Sequence, residues 1–209
     1  MTALTWPGCR NVRDLGGTPL ADGGQVRAGA LIRSDNLDQL DDAGLAAVDA
    51  AGISRFVDVR SAWECAKFPS PFAADDRWLN VPLTDPDDPD GPDLFEQYLV
   101  LIDDRSDRFA TAIGAIADAP PGCVVVNCHA GKDRTGLVIA LALDVVGVPL
   151  EVIASDYATT TYESDPPRPE TILRILTHLQ TRYGGTARYL QASGATAAQL
   201  ASLRSRMTS

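Results

Sequence analysis

An α/β fold is predicted, with a mainly parallel central sheet flanked by helices and a helical C-terminal part. Three observations predict it. Short runs rich in β-branched residues alternate with helical periodicities up to about residue 150. The run Cys123–Asn127 (CVVVN) suits a strand buried on both faces, as in a parallel sheet. From Leu150 onward every periodic segment is helix-like. At 209 residues the chain can bury a proper core, and with no internal repeat or linker it is expected to form one domain, 1–209.

The first element expected is a hairpin with arms near Gly17–Leu20 and Gln25–Arg33, turning at Asp22-Gly23-Gly24. The stretch LDDAGLAAVDAAG reads as a short helix closed by Gly52. Ile53–Ser61 (ISRFVDVRS) and Arg77–Leu83 (RWLNVPL) read as strands. Thr84–Asp93 (TDPDDPDGPD) is an acidic Pro/Gly loop. Leu94–Ala119 reads as one helix, with Phe109, Ile113 and Ile116 on an apolar stripe, ended by Pro120-Pro121-Gly122. The strand Cys123–Asn127 then leads into a helix over Arg134–Val146 that is apolar nearly all round and therefore central, stopped by Gly147 and Pro149. Four helices follow, over Leu150–Thr160, Pro169–Tyr183, Thr186–Ala192 and Thr196–Met207. The stretch YESDPPRPE is a loop between the first two of these.

Composition narrows the function. The chain is 45% apolar and 22% charged, with net charge −10, a surface that repels nucleic acid and anionic membranes as a whole. Neither a nucleic-acid partner nor stable membrane insertion is expected, and an anionic substrate needs a locally positive pocket. No apolar run reaches membrane-spanning length. The start, MTALTWPGCRNVRDLGG, has no charged-then-apolar leader, which favours the cytoplasm and leaves leaderless secretion open. Cys9, Cys65, Cys123 and Cys128 do not match a zinc spacing and are not expected to form a disulfide framework, so neither metal nor cofactor is expected.

The chemistry concentrates in VVVNCHAGKDRTG, Val124–Gly136. Ligands of such sheets bind beyond the carboxyl ends of the strands, and this loop lies at such an end. A strand-to-helix loop presents backbone N–H groups in one direction, and the helix dipole adds positive potential. Gly131 and Gly136 let the backbone curl into an anion nest. Cys128 begins the loop, where the same field favours thiolate over thiol. Arg134 can reach back with a planar fork suited to two phosphate oxygens. Thr135 can donate a hydrogen bond to the cysteine sulfur, and Lys132 supplies a second cation. The phosphate-binding set is then His129, Ala130, Gly131, Lys132, Asp133, Arg134 and Thr135. Thiolate attack on phosphorus, with Arg134 and the amides holding the equatorial oxygens, would form a phosphocysteine that water releases.

Other readings of the same loop are weaker. A nucleotide P-loop is excluded, because Val126 stands where its first glycine belongs and Asp133 where Ser or Thr must follow the lysine. A rhodanese-like sulfurtransferase also uses a thiolate in an amide cradle, but the arginine after five residues fits phosphate better. An inactive phosphate-binding pseudophosphatase is the non-enzyme alternative. Cys65 and Cys123 read as packing.

These residues resemble the Cys-X5-Arg phosphatase superfamily, and more narrowly the bacterial atypical tyrosine and lipid phosphatases related to mycobacterial protein tyrosine phosphatase B. That family's loop reads His-Cys-x-x-Gly-Lys-Asp-Arg-Thr-Gly, against Asn127-Cys128-His129-Ala130-Gly131-Lys132-Asp133-Arg134-Thr135-Gly136 here. The resemblance extends to NVRDLGG (Asn11–Gly17), IRSDNL (Ile32–Leu37), VDVRS (Val57–Ser61) and the ending Tyr183–Arg204. It implies the Cys-based phosphatase fold and hydrolysis of phosphomonoesters on phosphorylated protein or a phospholipid headgroup, with phosphotyrosine first and phosphoserine/threonine or phosphoinositide activity alongside. One departure is Asn127, where relatives have a histidine; its amide is expected to hydrogen-bond in the histidine's place. A second is YESDPPRPE, too short for the long helical lid of some relatives, so a more open site is expected.

The leaving oxygen needs a proton. Asp133 lies in the loop, where the resemblance gives the aspartate a catalytic role. Asp85, after a strand and opening a loop, is the other candidate, with Asp87 and Asp88 behind it. Upstream, Arg13 and Asp14 are expected to buttress the site by ion pairing, with Arg33, Asp35 and Arg60 as further candidates. His129 faces the pocket and with Lys132 could read an extra phosphate, while His178 is expected at the surface.

Overall fold

A computed structural model describes residues 1–85, 93–159 and 167–208. Among the described residues six strands form one sheet in the order β1-β2-β3-β6-β4-β5. They are β1 (Thr2–Ala3), β2 (Arg13–Asp14), β3 (Leu31–Ser34), β4 (Ile53–Asp58), β5 (Trp78–Asn80) and β6 (Cys123–Asn127). The β3-β6-β4-β5 part is parallel, and β1 and β2 add antiparallel strands at one edge. The described helices are α1 (Asp42–Ala50), α2 (Ala62–Lys67), α3 (Leu94–Asp104), α4 (Ser106–Ala117), α5 (Asp133–Val145), α6 (Leu150–Ala158), α7 (Pro169–Tyr183), α8 (Thr186–Ala192) and α9 (Ala197–Met207). The expected α/β architecture and helical C-terminal part are both present.

Alternation along the buried strands builds two cores. Val124 and Val126 of β6, with Leu31 and Val57, face a large cluster containing α5. Val125, with Ile32 and Phe56, faces a smaller cluster with Trp6, Val48 and Phe72. Helix α5 is buried along nearly its whole circumference, as its apolar sequence requires. Among the described residues no helix is long and apolar enough to cross a membrane.

Three elements differ from expectation. The hairpin turns where predicted, with Pro19 bridging Gln25, but its second arm leaves the ladder because the C-terminal segment takes its place: Arg27 N–H donates to Met207 O (2.7 Å). The antiparallel pair is instead Arg13–Asp14 with Ile32–Arg33. The long helix breaks at Arg105 into α3 and α4. The break falls in Asp-Asp-Arg-Ser-Asp, a stretch of helix-capping residues, where Asp103 accepts from Arg182 and Tyr183 and Tyr189 takes the Ile102 carbonyl. Helix α2 was not anticipated. The strand before it ends at Asp58, and Ser61 and Glu64 form a capping box.

Candidate active site

The three central parallel strands end level, with Ser34 and Asp58 both in register with Asn127. Cys128 follows at once, buried at 2% exposure, and the loop runs through Lys132 into α5. Gly131 has φ +64°, and a Cβ there would stand 2.5 Å from the Ser34 carbonyl oxygen. Only glycine lets the loop lie against the end of β3.

Four successive loop carbonyls are held from behind. His129 O accepts from Asn36 N–H (3.0 Å). Asn11 Nδ2 donates to Ala130 O (3.1 Å) and Gly131 O (2.9 Å). Arg33 Nη2 donates to Gly131 O (2.6 Å) and Lys132 O (3.3 Å). In a trans peptide the N–H points away from the preceding C=O. Fixing these carbonyls therefore turns the N–H groups of Ala130, Gly131, Lys132 and Asp133 the other way. The result is a row of donors that starts beside Cys128 and ends at the N-terminus of α5.

A buried ion cluster secures that backing. Asp156 of α6 accepts from Arg13 Nε (2.8 Å) and Arg33 Nη1 (2.5 Å), and Arg13 also reaches the Asp156 carbonyl (2.7 Å) and Asn11 Oδ1 (2.7 Å). Burial alone would raise the Asp156 carboxyl; the two guanidiniums outweigh it and hold it below the usual carboxylate range. The buttressing role expected of Arg13 and Arg33 is therefore seen, through a partner the sequence did not reveal. Asp14 instead accepts from Gly16 and Gly29 N–H, and Asp35 from Arg10 and Asn11 N–H. Arg60 is wholly buried on Asp58 and the Phe68 carbonyl, a structural position.

Arg134 forms a two-point ion pair with Glu64, Nη1 to Oε2 at 2.5 Å and Nη2 to Oε1 at 2.8 Å, and Nη1 also donates to Thr84 Oγ1 (3.2 Å). A guanidinium has five N–H donors. Three are used here, which leaves Nε–H and one Nη2–H, two parallel donors on one edge. Burial would weaken the Arg134 charge, but the hydrogen bond with Glu64 holds it above its ordinary range. Burial would also raise Glu64; Arg134 and the Ser61 cap bring it down to about 2.

Asp133, Arg134 and Asp85 line one cavity of about 570 Å³, together with Glu64, Trp63 and one face of α3. Tyr98 on that face donates from its hydroxyl to Asp133 Oδ1, and its oxygen lies 2.8 Å from the Tyr157 hydroxyl. Asp85 is paired with Arg108, whose hydrogen bond lowers it below its usual range. Asp87 and Asp88 lie outside the described residues, as does most of the YESDPPRPE loop on which the expectation of an open site rests.

The remaining predicted residues are dispersed. His129 lines a different cavity with Arg10 and Asp35, its ring 5.6 Å from Phe68. Lys132 is buried at the start of α5. Among the described residues the buried Thr135 hydroxyl has no hydrogen-bond partner, so the bond it could make to the Cys128 sulfur is not seen. Among the described residues neither amide atom of Asn127 has a hydrogen-bond partner, so the bond its amide could make in place of histidine is not seen. All four cysteines are free thiols. His178 is half-buried on Asp103 (3.0 Å) rather than at the surface.

Sequence reasoning missed Glu64, Tyr98, Asp156 and Tyr157. Glu64 was recoverable from Ser61-Ala-Trp-Glu64, a capping-box spacing. The other three sit in helices with no local signal.

The tyrosine phosphatase family matches residues 4–209. The chain is 33% identical over 149 residues to a tyrosine-protein phosphatase of Nostoc commune, across 66% of this chain and 50% of that one. It therefore spans half the length of that relative. It is 30% identical over 221 residues to the triple specificity protein phosphatase PtpB of Mycobacterium tuberculosis, across 88% of this chain and 76% of that one. The crystal structure of P. aeruginosa TpbA is similar at 18% identity and a TM-score of 0.42, over 85% of this chain and 86% of that one.

Proposed function

The chain belongs to the tyrosine phosphatase family, and on that premise we propose that residues 1–209 act as one protein-tyrosine phosphatase that works through a phosphocysteine on Cys128. The observation that supports the reading is the row of loop carbonyls tied back by Asn36, Asn11 and Arg33, which turns the opposing amides to the other side of the loop.

Cys128 Sγ attacks phosphorus as the bond to the leaving oxygen breaks, and Asp133 gives that oxygen its proton. Water then attacks the phosphocysteine, Asp133 takes back a proton, and inorganic phosphate leaves with the sulfur restored. The amides of residues 130–133, with Arg134, carry the equatorial oxygens through both steps. Asp133 is favoured over Asp85 as the acid because it lies in the loop itself, whereas the Asp85 carboxylate is taken up by an ion pair with Arg108. The cavity wall of Trp63, Leu94, Tyr98 and Leu101 beside Arg134 suits a flat aromatic ring, which supports phosphotyrosine as the first substrate. The Mycobacterium relative is named for triple specificity, and on that likeness phosphoserine/threonine and phosphoinositide headgroups are the next substrates to try. Cytoplasmic action on phosphorylated protein is the expected setting.

Hydrolysis of p-nitrophenyl phosphate and then phosphotyrosine, phosphoserine and phosphoinositide, with EDTA present, tests the proposal. Metal-independent turnover with phosphotyrosine preferred is expected. Phosphate binding without turnover would support a pseudophosphatase instead, and sulfur transfer to cyanide a rhodanese-like enzyme.

A further inference from the structure

The Asp133 carboxylate is met by more than the loop that carries it. Tyr98 comes from α3, on the helix face Leu94-Gln97-Tyr98-Leu101 that walls the cavity. Tyr157 comes from α6 and is buried at 1% exposure. Each phenol has one hydrogen to give. Tyr98 gives its hydrogen to Asp133 Oδ1, so the 2.8 Å contact between the two hydroxyls runs from Tyr157 to Tyr98. With Tyr98 as the donor to Asp133, the relay runs Tyr157 to Tyr98 to Asp133. The Tyr157 ring reaches this position because residue 136 is glycine: a Cβ there would lie 2.8 Å from Tyr157 Cδ2 and 2.9 Å from Cε2. In the loop motif, Gly136 serves this close approach.

We infer that Tyr98, backed by Tyr157, is the positioning residue that orients Asp133 as proton donor and stabilises the carboxylate left once the proton has gone. The inference rests on the reading of Asp133 as the general acid. With Oδ1 occupied by Tyr98, the transferable proton resides on Oδ2. When it passes to the leaving oxygen, negative charge appears on the carboxylate and the bond from Tyr98 strengthens, polarised by Tyr157 behind it. An interaction that is stronger in the transition state than before it accelerates the step. In the second half of the reaction the same bond holds the carboxylate oriented to take a proton from water. Both phenols stay protonated: burial, followed for Tyr98 by the charge of Asp133, pushes them well above the usual tyrosine range.

The test is kcat/KM for aryl phosphates of rising leaving-group pKa, with wild type, Tyr98→Phe, Tyr157→Phe, Asp133→Asn and the double variant Tyr98→Phe/Asp133→Asn. Inhibition by inorganic phosphate and the melting temperature are measured alongside. Tyr98→Phe is expected to lose about tenfold on phenyl phosphate and under about threefold on p-nitrophenyl phosphate, whose leaving group needs little acid help. Phosphate inhibition should be unchanged, and the loss should vanish in the Asp133→Asn background. Tyr157→Phe should show the same pattern more weakly, and it carries the test if Tyr98→Phe does not fold. An equal fall on both substrates, or the full Tyr98→Phe loss added on top of Asp133→Asn, would overturn the inference. A flat leaving-group dependence in Asp133→Asn would remove the acid itself and the inference with it. Turnover surviving in Cys128→Ser would strike the nucleophile instead.

Discussion

Glu64 holds Arg134 end-on, carboxylate to guanidinium at 2.5 and 2.8 Å, while the same carboxylate caps its own helix through Ser61 N–H at 2.9 Å. One residue thus fixes the start of α2 and the plane of the arginine proposed to hold phosphate. Glu64→Gln is expected to lower kcat/KM by on the order of tenfold or more, because the fork is no longer held in plane. Glu64 is depressed from 4.5 to about 2 in the folded protein. A depressed carboxyl contributes stability that is full above its unfolded value and is lost as pH falls through its folded value. Wild type should therefore lose stability between pH 4.5 and 2. Glu64→Gln should lose less over that window in acid titrations followed by circular dichroism.

Asp156 is the shared anion of Arg13 and Arg33 in a buried setting. Asp156→Asn leaves two guanidiniums without a counter-charge and should cost about 3–5 kcal/mol in chemical denaturation. Because Arg33 also holds the Gly131 and Lys132 carbonyls, phosphate inhibition should weaken at temperatures where the variant is still folded.

Gly131→Ala sets a Cβ against the β3 backbone, 2.5 Å from Ser34 O, at φ +64°. The atoms it meets, Ser34 O and C and Asp35 N, are backbone and cannot swing away. The variant is expected to lose about 1–3 kcal/mol from the strained backbone alone, with activity falling further than stability, as kinetics and thermal melts on one preparation would reveal.

Asp85→Asn separates the two acid candidates. Asp85 is paired with Arg108 and its side chain is 46% exposed, so Asp85→Asn should change turnover of phenyl phosphate by under about threefold, against about a hundredfold for Asp133→Asn. Reversed sizes would move the proton to Asp85.

Much of this was legible in the chain. Val-Val-Val before Cys128 reads as a doubly buried strand, and Arg134–Val146 as a central helix, because burial on all sides leaves an apolar run with almost no polar face. The loop was legible as a candidate anion site because glycine, lysine and arginine at fixed spacing have few other uses together. What supports the loop was not. Asp156-Tyr157 and Tyr98 are ordinary helix residues in sequence, and their roles arise from contacts 35 to 143 positions apart. The α3–α4 break was hidden because the Phe109-Ile113-Ile116 stripe continues a plausible helix, while the partner that ends α3, Tyr189, lies far downstream.

The most direct test of the central claim is to trap the intermediate. Wild type and Asp133→Asn would be mixed rapidly with p-nitrophenyl phosphate, quenched, digested and mapped by mass spectrometry. The account expects one added phosphoryl group, on the peptide containing Cys128 and on its sulfur, absent in Cys128→Ser, which should also be inactive. A phosphoryl group elsewhere, or full turnover by Cys128→Ser, would contradict it.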